Sequence, residues 1–240
     1  MRRLTLPAAA LAACLLLAWG CNDDDTTSPP PAKTQIAILD DDSTETAVAD
    51  ILTAAGHDVT LLGHYWEYTD TDFSAYDLVF LLSGYEYGDD VADTVQQGLL
   101  EFVSAGGTLV TTEWITYSDN LALIIPTLPL AYGDDYCDEG GGACTDTVTV
   151  VADHPITAGL PATFTTPPDW TYSSCVVNAG ATSTDVTVLL SGQESGPALA
   201  IGTYGSGHVL HWNMGGAYAG PDLWDANTSR ILTNLAAYAR

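Results

Sequence analysis

Carboxylates, hydroxyls, amides and aromatic rings collect at four places in this 240-residue chain: Asp40-Asp41-Asp42-Ser43, Ser83-Gly84-Tyr85-Glu86, Glu113-Trp114-Ile115-Thr116-Tyr117, and Asn213 to Tyr218. Each follows a short apolar run, respectively QIAIL, LVFLL, TLVT and HVLHW. As strands of an open parallel sheet, these runs would bring all four segments to the carboxyl edge, where such sheets bind ligands. Aromatic faces cover the apolar faces of sugars, and carboxylates and amides pair with hydroxyls, so the mixture suits a hydroxyl-rich ligand. The expected ligand-binding set is Asp40, Asp42, Ser83, Glu86, Glu113, Trp114, Asn213 and Tyr218. Plain rim packing is the competing role for Trp114, Trp212 and Tyr218.

Glu113 and His211 are the candidate catalytic residues. A glutamate placed there could move a proton or bind a metal, or simply be a buried or capping group. Asp40, Asp41 and Asp42 could join it around a hard cation such as calcium, but the run lacks the glycine and terminal glutamate of an EF-hand loop, so no metal site is assigned. His208 and His211 are three residues apart on one strand, which puts them on opposite faces and rules out joint chelation. His211 near the strand end could line the cleft, and His208 reads as a turn residue. His154, before Pro155, reads as structural. No Gly-x-Ser-x-Gly, P-loop or dinucleotide fingerprint is present.

The elements that would position these groups follow from the apolar pattern. Gln35 to Leu39, His57 to Leu62, Leu78 to Leu82 and Thr108 to Thr111 read as strands, with helices over Glu45 to Ala55 and Val91 to Ser104 between them. Unbroken apolar strands alternating with helices predict an α/β fold with a mostly parallel sheet covered on both faces. The second half is richer in β-structure. Thr147 to Val151, Val186 to Leu190, Ala198 to Gly202 and His208 to Trp212 read as strands, the last two joined by a turn at Gly205-Ser206-Gly207, and a helix from about Asp225 to Tyr238 closes the chain.

The amino terminus has Arg2-Arg3, then an apolar stretch from Leu4 to Trp19, too short to span a bilayer that takes about 20 apolar residues. Its end, Leu17-Ala18-Trp19-Gly20-Cys21, resembles a bacterial lipobox. That resemblance implies lipidation of Cys21, a signal peptide over 1–20, and a mature protein tethered to the cell envelope on its periplasmic or outer face. An ordinary secretory signal is the alternative. Residues 21–34 read as an acidic, proline-rich spacer and 35–240 as one α/β domain.

Charge narrows the partners. With 31 acidic and 5 basic residues, the chain carries a net charge of −26, which repels phosphate backbones and excludes nucleic acid. Export permits disulfides. Cys137 and Cys144 enclose the glycine-rich loop DEGGGA and form the expected bridge, with Cys175 free or the alternative partner.

Three stretches resemble the class I glutamine amidotransferase-like superfamily, flavodoxin-like in fold, and within it the ThuA-like branch. They are Tyr76 to Gly84 leading to Phe102-Val103-Ser104-Ala105-Gly106-Gly107-Thr108-Leu109-Val110; Asp153 to Pro161 with Asp169-Trp170; and Tyr204 to His211 leading to Gly215-Gly216, Trp224 and Asn234-Leu235. The resemblance implies a sharp turn after the strand at Thr108 to Thr111, which in the amidotransferases carries a nucleophilic cysteine. Here that turn reads Thr112-Glu113-Trp114, so the thiolate is absent and cysteine-dependent amide hydrolysis is excluded. The leading expectation is a lipid-anchored, non-catalytic ligand-binding domain with no cofactor, its partner a carbohydrate or another envelope protein. A saccharide-directed hydrolase or isomerase using Glu113 with His211 or an aspartate from 40–42 is the alternative. A purely structural or interaction lipoprotein is the third, favoured if the segment from Leu121 to Ala143 plugs the edge.

Overall fold

The computed structural model describes residues 33–41, 45–83, 88–118, 120–135, 145–168, 170–171, 173–214 and 224–240. One nine-stranded sheet runs through the domain, with strands β1 (Gln35–Asp40), β2 (Asp58–His64), β3 (Leu78–Leu81), β4 (Thr108–Thr112), β6 (Thr147–Val150), β7 (Thr163–Thr165), β9 (Thr184–Gly192), β10 (Pro197–Tyr204) and β11 (Gly207–Trp212). Its order is β2-β1-β3-β4-β11-β10-β9-β6-β7. The first five strands are mutually parallel, and from β11 outward every pairing is antiparallel. The sheet is therefore mixed rather than mostly parallel, because the later strands are joined by turns instead of helical crossovers.

Alternation along the central strands builds two apolar layers. Ile36, Ile38, Leu78, Phe80, Val110 and Leu210 point to one side, where Val48 and Leu52 of α1 (Glu45–Ala54) and Ile231, Leu232 and Leu235 of α3 (Ala226–Tyr238) cover them. Ala37, Leu39, Val79, Leu81, Leu109 and Val209 point to the other, under Val95, Leu99, Phe102 and Val103 of α2 (Asp93–Ser104). Burying each of these leucines, valines or phenylalanines stabilises by about 1.5–3 kcal/mol. Strands filled on both faces have no polar positions to spare, which is why they read as unbroken apolar runs.

The helices end where their sequences require. Gly106 takes φ +119 after α2, a conformation costly to any residue with a Cβ. At α3, the Asp225 carboxylate accepts from the amides of Asn227 and Thr228, each at 2.8 Å, satisfying two of the helix's orphan donors.

Two strands stand apart from the main sheet. β5 (Leu130–Asp135) and β8 (Ser173–Val177) form an antiparallel pair, tied to the β9–β10 turn by the Cys175 amide donating to the Ser195 carbonyl at 2.9 Å. That turn is held in its own right by Asp146, whose carboxylate accepts from the amides of Gln193, Glu194 and Ser195 and from the Ser195 hydroxyl. Among the described residues no helix is long and apolar enough to cross a membrane.

Candidate functional site

Strand register assembles the carboxyl edge. Leu39 stands opposite Leu81, Leu81 opposite Thr111, and Thr112 opposite Trp212. The residues that follow, Asp41, Ser83, Glu113 and Asn213, therefore form one row across β1, β3, β4 and β11. Thr112 Oγ1 accepts from the Ser83 amide at 2.9 Å, and the Met214 carbonyl accepts from the Glu113 amide at 3.3 Å, which pins the row together. Asp40, Ser83, Glu113 and Asn213 of the expected binding set thus share this edge. Asp42, Glu86 and Tyr218 lie outside the described residues, as do Cys21, Cys137 and Cys144.

Glu113 opens a short 3-10 helix, Glu113–Thr116, and has no exposed surface. Its Oε1 accepts from the Thr171 hydroxyl at 2.6 Å, the Ser173 amide at 2.8 Å and the Ser173 hydroxyl at 3.1 Å. Three donors on one oxygen hold the β8 segment firmly over the turn. Asn213 joins the same joint: its amide donates to the Ser173 carbonyl at 2.9 Å, and its Oδ1 lies 3.2 Å from Ser173 Oγ. Ser173 has a single hydroxyl proton, so Glu113 and Asn213 share it.

Under this joint lies Cys175, buried and free among the described residues. Burial, and then the Glu113 charge, push its thiol up to about 12, against a weaker opposing hydrogen bond with Thr116. Cys175 is thus a protonated core residue on β8 and no nucleophile.

His211 does not reach Glu113. It is fully buried, its Nδ1 lies 2.9 Å from Thr111 Oγ1, and Thr111 Oγ1 donates to the Leu210 carbonyl at 3.2 Å. With the threonine proton so committed, Nδ1 carries the ring proton and Nε2 is a bare nitrogen with no hydrogen-bond partner. Burial drives the pKa of His211 down to about 3. The expected Glu113–His211 pair is therefore corrected: one residue is locked to β8, and the other is a neutral core imidazole with no cleft to line. His208 is corrected as well, since it lies within β11 rather than in the turn, with Nε2 3.1 Å from the Tyr238 hydroxyl on α3. His154 keeps its structural role, accepting from the Ile156 amide to cap a one-turn 3-10 helix.

The rim differs from expectation in its details. Trp114 is buried and packs edge-on against Tyr117 at 5.7 Å; Tyr117 is 48% exposed and meets Tyr132 of β5 at 5.0 Å. Trp212 belongs to a core cluster with Trp170 and Trp224, at centroid distances of 5.3–6.1 Å. Asp40 is buried and bonds through Oδ1 to His64 Nδ1 at 3.1 Å. Sequence reasoning missed His64, because β2 runs two residues past the expected end of its strand. It also missed Thr171 and Ser173, because nothing in the spacing links them to a glutamate about 60 positions earlier. Among the described residues no three His, Cys, Asp or Glu side chains are grouped to hold a metal ion.

No protein-family model matches the chain. Nor does any curated protein match it. Solved structures do. A ThuA-like protein from Parabacteroides merdae superposes with a TM-score of 0.63 at 15% identity, covering 87% of this chain and 90% of its own. One from Bacteroides uniformis gives 0.61 at 16% identity, covering 88% and 92%. A glutamine amidotransferase from Thermotoga maritima gives 0.52 at 12% identity, covering 76% and 75%. With strand order, helices on both faces and the glutamate-bearing turn after β4 in view, the fold of this chain is the class I glutamine amidotransferase-like fold in its ThuA-like form.

Proposed function

We propose that the chain is a lipid-anchored protein of the bacterial cell envelope whose domain binds a ligand, a carbohydrate or the surface of another envelope protein, and does no chemistry at the turn after β4. The observation that carries this reading is the enclosure of Glu113. Three donors converge on Oε1 of a residue with no exposed surface, and a carboxylate so held serves as a joint between β4 and β8, not as an acid or base for substrate. The exposed Tyr117 and its neighbour Tyr132 supply the aromatic surface that sugars and proteins both use. The anchor rests on Cys21 and the sequence around it.

The interaction-protein reading has its own support. β5 falls within the segment from Leu121 to Ala143 and pairs with β8 over the edge, the arrangement under which a small-molecule cleft would give way to a protein surface.

The test uses the full chain, expressed in a bacterial envelope with Cys21 intact or as Cys21→Ser. The parent should partition into detergent with the membranes and the variant should not; equal partitioning refutes the anchor. The purified parent is then screened by thermal shift against saccharides, divalent cations and EDTA, alongside Glu113→Gln. A ligand that stabilises both chains fits the proposal. Substrate turnover lost in a folded Glu113→Gln would overturn it.

A further inference from the structure

Beside the row, where β2 ends, a groove of about 320 Å³ is lined by His64, Glu67, Tyr68, Thr69 and Asp70, among others. His64 is held there by two independent constraints. Its Nδ1 bonds Asp40 Oδ1 at 3.1 Å, with the Asp40 side chain only 4% exposed. Its ring stacks on Trp66 at 4.7 Å and 4°. A carboxylate can only accept, so Nδ1 carries a proton, and on a singly protonated ring Nε2 is a lone-pair acceptor. Among the described residues Nε2 has no hydrogen-bond partner, and the side chain is 32% exposed.

The remaining polar groups of the groove share that bias. Glu67 is exposed and makes no side-chain hydrogen bond among the described residues. Asp70 uses Oδ1 for the amides of Thr71 and Asp72, which leaves Oδ2 open. Only Tyr68 and Thr69 can donate. A groove offering a fixed imidazole acceptor and two carboxylates matches a ligand rich in N–H donors, and the charge of −26 raises the local concentration of cations.

We propose that this groove binds a primary-ammonium ligand, which donates to His64 Nε2 and to the carboxylates of Glu67 and Asp70. The proposal rests on the ligand-binding reading and names the ligand class. A free polyamine and a lysine side chain of a partner protein present the same chemistry, so both are tested.

The full chain in detergent is titrated by calorimetry at 150 mM NaCl with spermidine, trilysine and maltotriose, and again as His64→Gln and Glu67→Gln. His64→Gln leaves the net charge unchanged, so diffuse attraction of polycations is held constant between it and the parent. At least tenfold weaker ammonium binding by His64→Gln is expected, with Glu67→Gln also weakened. Glu67 is exposed, so its substitution leaves folding intact and keeps the test decisive if His64→Gln misfolds. Tighter spermidine than trilysine assigns a free amine, and the reverse assigns a protein lysine. Parent and variants binding within twofold of one another would overturn the proposal, as would binding of maltotriose alone, which spares the ligand-binding reading. Thermal shifts with no ligand class at all would overturn both.

Discussion

Lowering the pH from 6.5 to 5 should cost this domain about 2 kcal/mol of stability through His211 alone. In the unfolded chain this histidine titrates near 6.5; in the fold, burial drives it to about 3. Below 6.5 the unfolded state takes up a proton that the native state refuses, so stability present at neutral pH is lost as pH falls toward 3. Each pH unit in that window costs about 1.36 kcal/mol, giving about 2 kcal/mol by pH 5 and about 5 kcal/mol near pH 3. The assay is urea unfolding of parent and His211→Gln between pH 5 and 7 at constant ionic strength. His57, His154 and His208, also lowered by burial, remain in both chains and cancel in the difference. The parent's free energy should fall more steeply than the variant's, by about one proton's worth per unit. Parallel curves would mean that the buried imidazole finds a way to charge in the fold, and the reasoning from its bare Nε2 would fail.

Three further outcomes are expected. Glu113→Ala should lose about 3–5 kcal/mol in chemical denaturation, because the Ser173 amide and the Thr171 hydroxyl are left buried without their acceptor, while Glu113→Gln, which keeps an oxygen, should lose less. Gly98→Ala should lose about 1–3 kcal/mol, since its new Cβ would collide with the Thr71 backbone against which α2 packs; a melting temperature equal to the parent's would refute that packing. Cys175 should resist a thiol reagent at pH 8 in the native protein and react only on unfolding, its thiol being buried and raised to about 12; rapid labelling of folded protein would show an open path beneath β8.

What the sequence reveals here depends on how far apart the cooperating residues lie. Strands β1, β3 and β4 and the helices between them are legible because burial on both faces writes unbroken apolar runs with helical spacing between them. The carboxyl-edge row is legible for the same reason, since strand ends and register follow from those runs. β5, β7 and β8 escape such reading. They are short, half exposed and rich in serine, threonine and glycine, and their pairing partners give them their shape. The roles of Glu113 and His211 escape it too, because each is decided by contacts 58–100 positions away, with Thr171, Ser173 and Thr111. Residue type alone marked both as reactive; burial and partners make one a joint and the other a core residue.

Among the described strands β11 alone touches both halves of the sheet, parallel to β4 on one side and antiparallel to β10 on the other. Its partner on β4 lies about 100 residues earlier, and α3, which follows it, reaches back to the first strand, where the Thr34 hydroxyl donates to the Ala236 carbonyl. A chain emerging amino end first therefore cannot join the two halves until β11 has followed β4 by about 100 residues. Such non-local closure folds slowly. A product cut short before Gly207 would be left with the raw edges of β4 and β10, each a template for pairing with another chain.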